Sequence, residues 1–205
     1  MFKKHIWICF ALMVSLLTVP TISHAQQTYT VQPGDSLWKI AVRYQVGISE
    51  LIAANRQFPN PNLIYPGQKV NIPNFDAIKS LENQVIQLTN QERAKNGLKP
   101  LAANWELSRV ARYKSNDMRD KNYFSHTSPT YGSPFTMMKN FGITYRSAGE
   151  NIAAGQRTPQ EVVNSWMNSP GHRANILSAN FNQIGVGYSS GGSYGTYWTQ
   201  MFIQK

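Results

Sequence analysis

Apolar residues recur along this chain with two periods, and the change of period marks the elements. Near the amino terminus Pro33-Gly34 suits the centre of a type II turn, because proline presets φ and glycine accepts φ > 0. A strand over 28–31 therefore ends there. Asp35 or Ser36 can cap a helix in which Leu37, Ile40, Ala41 and Tyr44 fall at i, i+3, i+4 and i+7, one face of a 3.6-residue period. Ser49 is expected to cap a second short helix carrying Leu51, Ile52 and Ala54 and stopping near Asn55. A second turn at Pro66-Gly67 precedes 69–72, where Val70 and Ile72 alternate with polar residues as in a half-buried strand. The order is strand, helix, helix, strand.

Beyond Pro73 the pattern lengthens. Leu81, Val85 and Leu88 keep helical spacing until Gly97 and Pro100 stop it. A helix over 104–120 buries Leu107, Val110, Ala111 and Met118. Thr158-Pro159-Gln160-Glu161 is a capping box with proline at the first helical position, which gives Glu161 a structural task. Ser169-Pro170 opens another short helix through His172 and Ile176. Ile184, Val186 and Tyr188 alternate with glycines, 190–193 supplies a turn, and 197–203 returns as a strand, so Tyr197, Trp198 and Phe202, with Tyr194 just ahead, are expected to be core. Helices interspersed with an antiparallel sheet predict an α+β layered fold. The domain boundary falls in a linker at 74–79, leaving a module at 28–73 and a domain at 80–205. The first, ~45 residues long, is near the lower limit for folding alone, whereas the second can bury a large core.

Ahead of both, Lys3 and Lys4 precede an apolar run over 6–19, then Pro20 and Ser23-His24-Ala25, so residues 1–25 read as a secretory signal cleaved after Ala25. The run is shorter than the ~20 residues of a membrane span, and no second run follows. The single cysteine, Cys9, lies within it, so export is inferred from the signal and not from disulfides. Losing Lys3 and Lys4 takes the formal charge from +10 to +8, which suits a negatively charged partner. No helix-turn-helix, zinc-finger or RNP-like segment points to nucleic acid; anionic wall polymers fit an exported chain.

Chemistry is scarce. Of four histidines, His5 and His24 go with the signal, leaving His126 in NYFSHTSP and His172 in NSPGHRANIL, with Glu150 in AGENIA between them. Two imidazoles and one carboxylate, expected on separate loops, could bind a divalent cation with open positions or act as acid and base. Their spacing matches no compact zinc motif. No G-x-S-x-G elbow supports a serine hydrolase built on Ser125, Ser128 or Ser169.

The segments YTVQPGDSLWKIA, ISELIAAN and LIYPGQKVNIP resemble a LysM domain. The resemblance implies binding of N-acetylglucosamine-containing glycans, peptidoglycan above all, in a shallow groove between Gly34, Asp35, Ser36 and Leu37 and the loop Asn62, Leu63, Ile64 and Tyr65. NQERAKNGLKPL, NYFSHTSP, SAGENIA, WMNSPGHRANIL, IGVGY and YWTQMF resemble the CAP superfamily of cysteine-rich secretory, antigen 5 and pathogenesis-related proteins, in a cysteine-free form. That implies an α-β-α sandwich whose cleft gathers two histidines and two glutamates and, in some members, a cation such as zinc. His126, Glu150 and His172 match three of the four; Ser169 stands at the fourth position, so any cation would be weakly held. Tyr123, Asn151 and Ser169 are further candidates for the cleft.

Together these imply a secreted protein of the cell wall or spore envelope, tethered by LysM and presenting a CAP cleft to a ligand. The alternative is a metal-assisted hydrolase in which Glu150 is the general base and His126 and His172 hold the cation.

Overall fold

The computed structural model describes residues 27–205; the expected signal over 1–25, with Cys9, lies outside the described residues. In the first domain β1 (Thr28–Thr30) pairs antiparallel with β2 (Lys69–Asn71), Tyr29 opposite Val70, and α1 (Leu37–Tyr44) and α2 (Ile48–Ala53) lie between them. Gly34 takes φ +83° in the first turn, the left-handed conformation that requires glycine. Ser36 is the cap of α1, its Oγ accepting the Lys39 amide at 3.2 Å. Val31, Leu37, Ile40, Ala41, Val46, Leu51, Val70 and Ile72 close a small core. Ser49 does not cap α2. Gly47 occupies that place, and the Ser49 hydroxyl lies 2.9 Å from Glu50 Oε2 and 3.0 Å from the Tyr113 hydroxyl of the second domain.

The expected linker over 74–79 shrinks, because α3 (Asp76–Lys95) begins inside it. Asn74 Oδ1 accepts the Asp76 amide at 2.8 Å, Lys79 Nζ donates to the Tyr44 carbonyl at 3.1 Å, and Arg112 lies over the Phe75 ring. The two domains therefore share a seam of specific contacts. On α3 the buried face also differs from the expected Leu81, Val85 and Leu88. It runs through Glu82, Val85, Ile86, Thr89 and Arg93, with Leu81 and Leu88 half-buried at its margin.

The second domain is an α-β-α sandwich. Its sheet has the order β3 (Ala102–Ala103), β5 (Gln183–Ser190), β6 (Thr196–Gln204), β4 (Ser147–Ala154), with β4–β6 and β5–β6 antiparallel and β3–β5 parallel. Trp198 and Phe202 pack with Ile184, Val186 and residues of α3, α6 (Pro159–Met167) and α7 (Pro170–Ile176). Met201 and Ile203 point the other way, against α4 (Trp105–Asp120) and α5 (Pro134–Asn140). This period-2 sorting places the aromatic strand in the core as expected, except for Tyr194, which stands 52% exposed. Thr158 Oγ1 accepts the Glu161 amide at 3.1 Å and Glu161 Oε2 accepts the Arg157 amide at 2.8 Å, so Glu161 does serve the helix start.

What sets the distance between α4 and the sheet is the alternation of glycine in β5. A Cβ on Gly185 would lie 2.4 Å from the backbone of Leu107 and Ser108, and one on Gly187 would lie 2.1 Å from that of Ala111 and Arg112. Backbone cannot yield as a side-chain end can. Gly187→Ala is therefore expected to lower the unfolding free energy by about 3 kcal/mol or more, read as a fall in the urea midpoint; an unchanged midpoint would mean that α4 can move away at little cost.

Candidate functional site

The first turn and the loop before β2 divide by role. Asp35 Oδ2 accepts the Tyr29 hydroxyl at 2.6 Å and the Gln32 amide at 2.9 Å, which holds its carboxyl below the usual carboxylate range. Ser36 is spent on the helix cap, and Leu37 is only 3% exposed, so its side chain belongs to the core and not to a groove. Gly34 leaves open backbone. Opposite in sequence, Asn62, Leu63 and Tyr65 are exposed, Leu63 and Tyr65 by more than half, while Ile64 packs against the core. Trp38, beside Leu37, is also largely exposed. Its signal was helical phase: it follows a buried position by one residue and so faces outward.

In the second domain Glu150 lies on strand β4, not on a loop. It alternates with Asn151, so that Glu150 and Ile152 face the α4 side while Asn151 faces the opposite layer. Glu150 is buried, and its Oε1 lies 2.7 Å from Nδ1 of His126, whose side chain is about half exposed. An ionised carboxylate only accepts, so in that state Nδ1 of His126 is the donor of this bond. Oε2 of Glu150 is buried without a hydrogen-bond partner. Burial pushes the Glu150 carboxyl above its usual range, against the pull of His126 and of Lys114.

Lys114, absent from the sequence-based candidates, fixes the segment that carries His126. It is completely buried on α4, and its Nζ donates to the Ser125 carbonyl at 2.7 Å, the His126 carbonyl at 2.8 Å and the Tyr123 hydroxyl at 3.2 Å. Asp117, one turn on, accepts from Tyr123, Ser128 and Thr130. Tyr123 thus supports the site from behind. The sequence did hold a signal, since Lys114 continues the stripe of Leu107, Val110 and Ala111 toward Met118.

On the far side of β4, Asn151 Nδ2 donates to the His172 carbonyl at 3.1 Å and to Gln200 Oε1 at 3.0 Å, and Asn175 Nδ2 donates to Asn151 Oδ1 at 2.8 Å. Asn151 therefore anchors α7 to the strand. Burial lowers the His172 pKa, and the proximity of His126 lowers it further. Ser169 begins α7 without a side-chain cap bond.

The donor set does not make a metal centre in this arrangement. Among the described residues no three His, Cys, Asp or Glu side chains are placed to hold an ion, and Nδ1 of His126 is engaged by Glu150. What the structure brings together is a His126–Glu150 pair with His172 near it.

Two outcomes follow from these contacts. Lys114→Met leaves two carbonyls and a hydroxyl unsatisfied and should cost about 3 kcal/mol of stability; an unfolding midpoint within error of the parent would show that water replaces the amine. Because the His172 pKa is lower in the fold than in the unfolded chain, its stabilising contribution is present above pH ~6.5 and is lost as pH falls through the folded value. His172→Gln should therefore lose less Tm than the parent between pH 7 and pH 5, and equal losses would remove His172 as the cause.

The family model of the Cysteine-rich secretory protein family, CAP, matches residues 86–202, and that of the LysM domain matches 29–73. The protein YkwD of Bacillus subtilis (strain 168) is 62% identical over 129 residues, which is 63% of this chain and 49% of YkwD. SpoIVD-associated factor A of the same strain is 51% identical over 45 residues, 22% of this chain and 12% of that protein. Among solved structures, an extracellular protein containing a SCP domain from Bacillus anthracis str. Ames superposes with a TM-score of 0.58 at 36% identity, over 68% of this chain and 47% of the other. The chain thus spans half or less of the length of these relatives. With that match running over more than half its residues, the chain belongs to the cysteine-rich secretory protein (CAP) family and carries a LysM domain ahead of the CAP fold.

Proposed function

We propose that this is an exported protein of the bacterial wall or spore envelope, in which the LysM domain holds N-acetylglucosamine-containing glycan and the CAP domain offers the His126–Glu150 cleft to a ligand without catalysing a reaction on it. The observation that carries the first half is the LysM domain itself, with Leu63 and Tyr65 exposed beside the glycine turn. Adjacent exposed apolar side chains can mark a binding surface, and an exposed aromatic ring suits the apolar face of a sugar. The excess of basic residues adds attraction to anionic wall polymers. Among the described residues no helix is long and apolar enough to cross a membrane. The name of SpoIVD-associated factor A, a relative in the LysM segment, supports a spore location.

For the second half, the support is Glu150 Oε2, buried and unpartnered beside a half-exposed imidazole. A buried acceptor without a donor is costly, and a ligand N–H or O–H would satisfy it. His126 would present its Nε2 to such a ligand. Hydrolysis remains the competing reading, with Glu150 as base and His126 and His172 on a cation; it requires His126 Nδ1 to release Glu150 or Nε2 to turn to the ion.

One preparation tests both halves. The exported chain should sediment with insoluble peptidoglycan, and Tyr65→Ala should weaken that binding about tenfold or more. Glu150→Gln and His126→Ala should sediment as the parent does, because they lie outside the tether. Peptidoglycan should not be turned over with or without added zinc. Sedimentation unaffected by Tyr65→Ala would sink the tether, and zinc-dependent turnover abolished by His126→Ala would replace binding by hydrolysis.

A further inference from the structure

Where the two domains meet, a cavity of about 140 Å³ opens between the end of α1, α3 and the start of α4, lined among others by Gln45, Lys79, Glu82, Asn83, Trp105 and Arg112. It lies apart from the His126–Glu150 pair and from the exposed LysM loop. We infer that this seam is a second carbohydrate site, which takes a single amino sugar bearing one carboxylate. The inference rests on the wall-bound reading above and adds to it what the second domain recognises there.

Charge points to the acid. Glu82 is already engaged: its Oε1 accepts Arg112 Nε at 2.8 Å and the Tyr188 amide at 3.2 Å, and its Oε2 accepts Arg112 Nη2 at 2.6 Å. Both partners are at least nine-tenths buried as side chains, so this pair is a fixed wall of the cavity. Lys79 is the cation left over. Its Nζ donates to the Tyr44 carbonyl, which leaves further N–H groups for a ligand. Burial and then the Arg112 charge lower its pKa, with Asp76 and Glu82 offsetting this in part. A ligand carboxylate would add a countercharge on the side of Lys79 that faces the cavity.

Shape and the other lining groups point to the sugar. Trp105, half-buried at the first turn of α4, presents the one aromatic side chain of the lining. Its backbone is fixed at the helix start, because Asn104 caps that turn through the Leu107 amide at 2.9 Å and donates to Gln183 at 2.7 Å. An indole beside amides and charges matches a ring with one apolar face and a polar edge. Asn83 and Gln45 bring the amide groups that hydroxyls and an acetamide need. Gln45 comes from the LysM domain, at the left-handed residue that ends α1, so the site exists only where both domains contribute. A volume of about 140 Å³ takes one sugar ring, and the acetamide and lactyl groups would extend beyond it through the open side.

The test is a titration of the exported chain followed by the Trp105 indole and Gln45 side-chain NMR signals, assigned with Trp105→Phe and Gln45→Ala. N-acetylmuramic acid and N-acetylglucosamine are the probes, since they differ by a lactyl ether carboxylate. We expect N-acetylmuramic acid to shift both signals, N-acetylglucosamine to bind the seam about tenfold more weakly, and Lys79→Gln to remove that preference. Trp105→Ala should abolish saturable binding at the Gln45 signal. Equal affinity for the two sugars, or titrations unaltered by Lys79→Gln and Trp105→Ala in variants that keep the parent Tm, would overturn the proposal. Tyr65→Ala separates the two readings: failure of the seam alone leaves Tyr65-dependent sedimentation intact, and failure of the tether alone leaves the seam titration intact.

Discussion

The close approach of α4 to β5 is the constraint on which the rest of the second domain depends. It exists because Gly185 and Gly187 present no side chain toward that helix, so its backbone lies where two Cβ atoms would otherwise be. At that distance Ser115 Oγ reaches the Gly187 carbonyl at 3.0 Å and Thr199 Oγ1 at 2.9 Å, which fixes the helix along its axis as well. The residue before Ser115, Lys114, is also buried and is carried into the layer behind Glu150. A helix set an ångström or two farther out would leave that amine short of the Ser125 and His126 carbonyls. The site is thus a consequence of sheet packing more than of its own loop.

Burying charge in this way is tolerable where partners engage it. Lys114 uses its donors on the site segment, and Asp117 accepts from three hydroxyls. Arg93 donates to the carbonyls of Lys99, Ile176 and Ser178, tying the end of α3 to the segment after α7. Glu82 and Arg112 satisfy one another. Against this pattern, Oε2 of Glu150 is buried without a partner, as are Arg109 Nε, Gln156 Oε1 and the Tyr197 hydroxyl, and among these four the Glu150 oxygen belongs to the carboxylate that meets the half-exposed His126 ring. The same logic distinguishes the two histidines. His126 is held by its ring and left half exposed, whereas His172 is held by its backbone carbonyl.

Much of this was legible in the sequence, for reasons that also explain the rest. The βααβ module was read from proline-glycine turns and short helical stripes, and the same features hold it together. The cap at Thr158, and that at Ser36 as one of two candidates, were readable because capping is local. Ser49 misled because its hydroxyl finds a tertiary partner in Tyr113, a contact no local rule contains. Strand β4 was missed for a related reason: Ser-Ala-Gly-Glu-Asn-Ile-Ala-Ala has little strand propensity, and it is extended because β6 lies beside it with Glu150 opposite Met201. Glu82, Thr89 and Arg93 hid the true buried face of α3, since a stripe sought through apolar residues passes over charged ones that are buried with partners. His126, Glu150 and His172 stood out by the scarcity of histidines and then matched the family motif, but no spacing rule would have paired the first two.

That Glu150 sits on an edge strand has its own consequence. Pairing with β6 on one side fixes its backbone and alternation, while the free side of β4 leaves room for α7, which Asn151 and Asn175 fasten to it. Adjacent residues of one strand therefore divide the work. Glu150 turns to the layer of α4 and engages His126, and Asn151 turns to the opposite layer and engages the His172 carbonyl and, through Gln200, Thr89 of α3. A slip of one residue in the β4–β6 register would exchange these faces and break both. The pairing of Glu150 with Met201 is accordingly as much a part of the candidate site as the carboxylate, which explains how two histidines far apart in sequence come to flank a single strand.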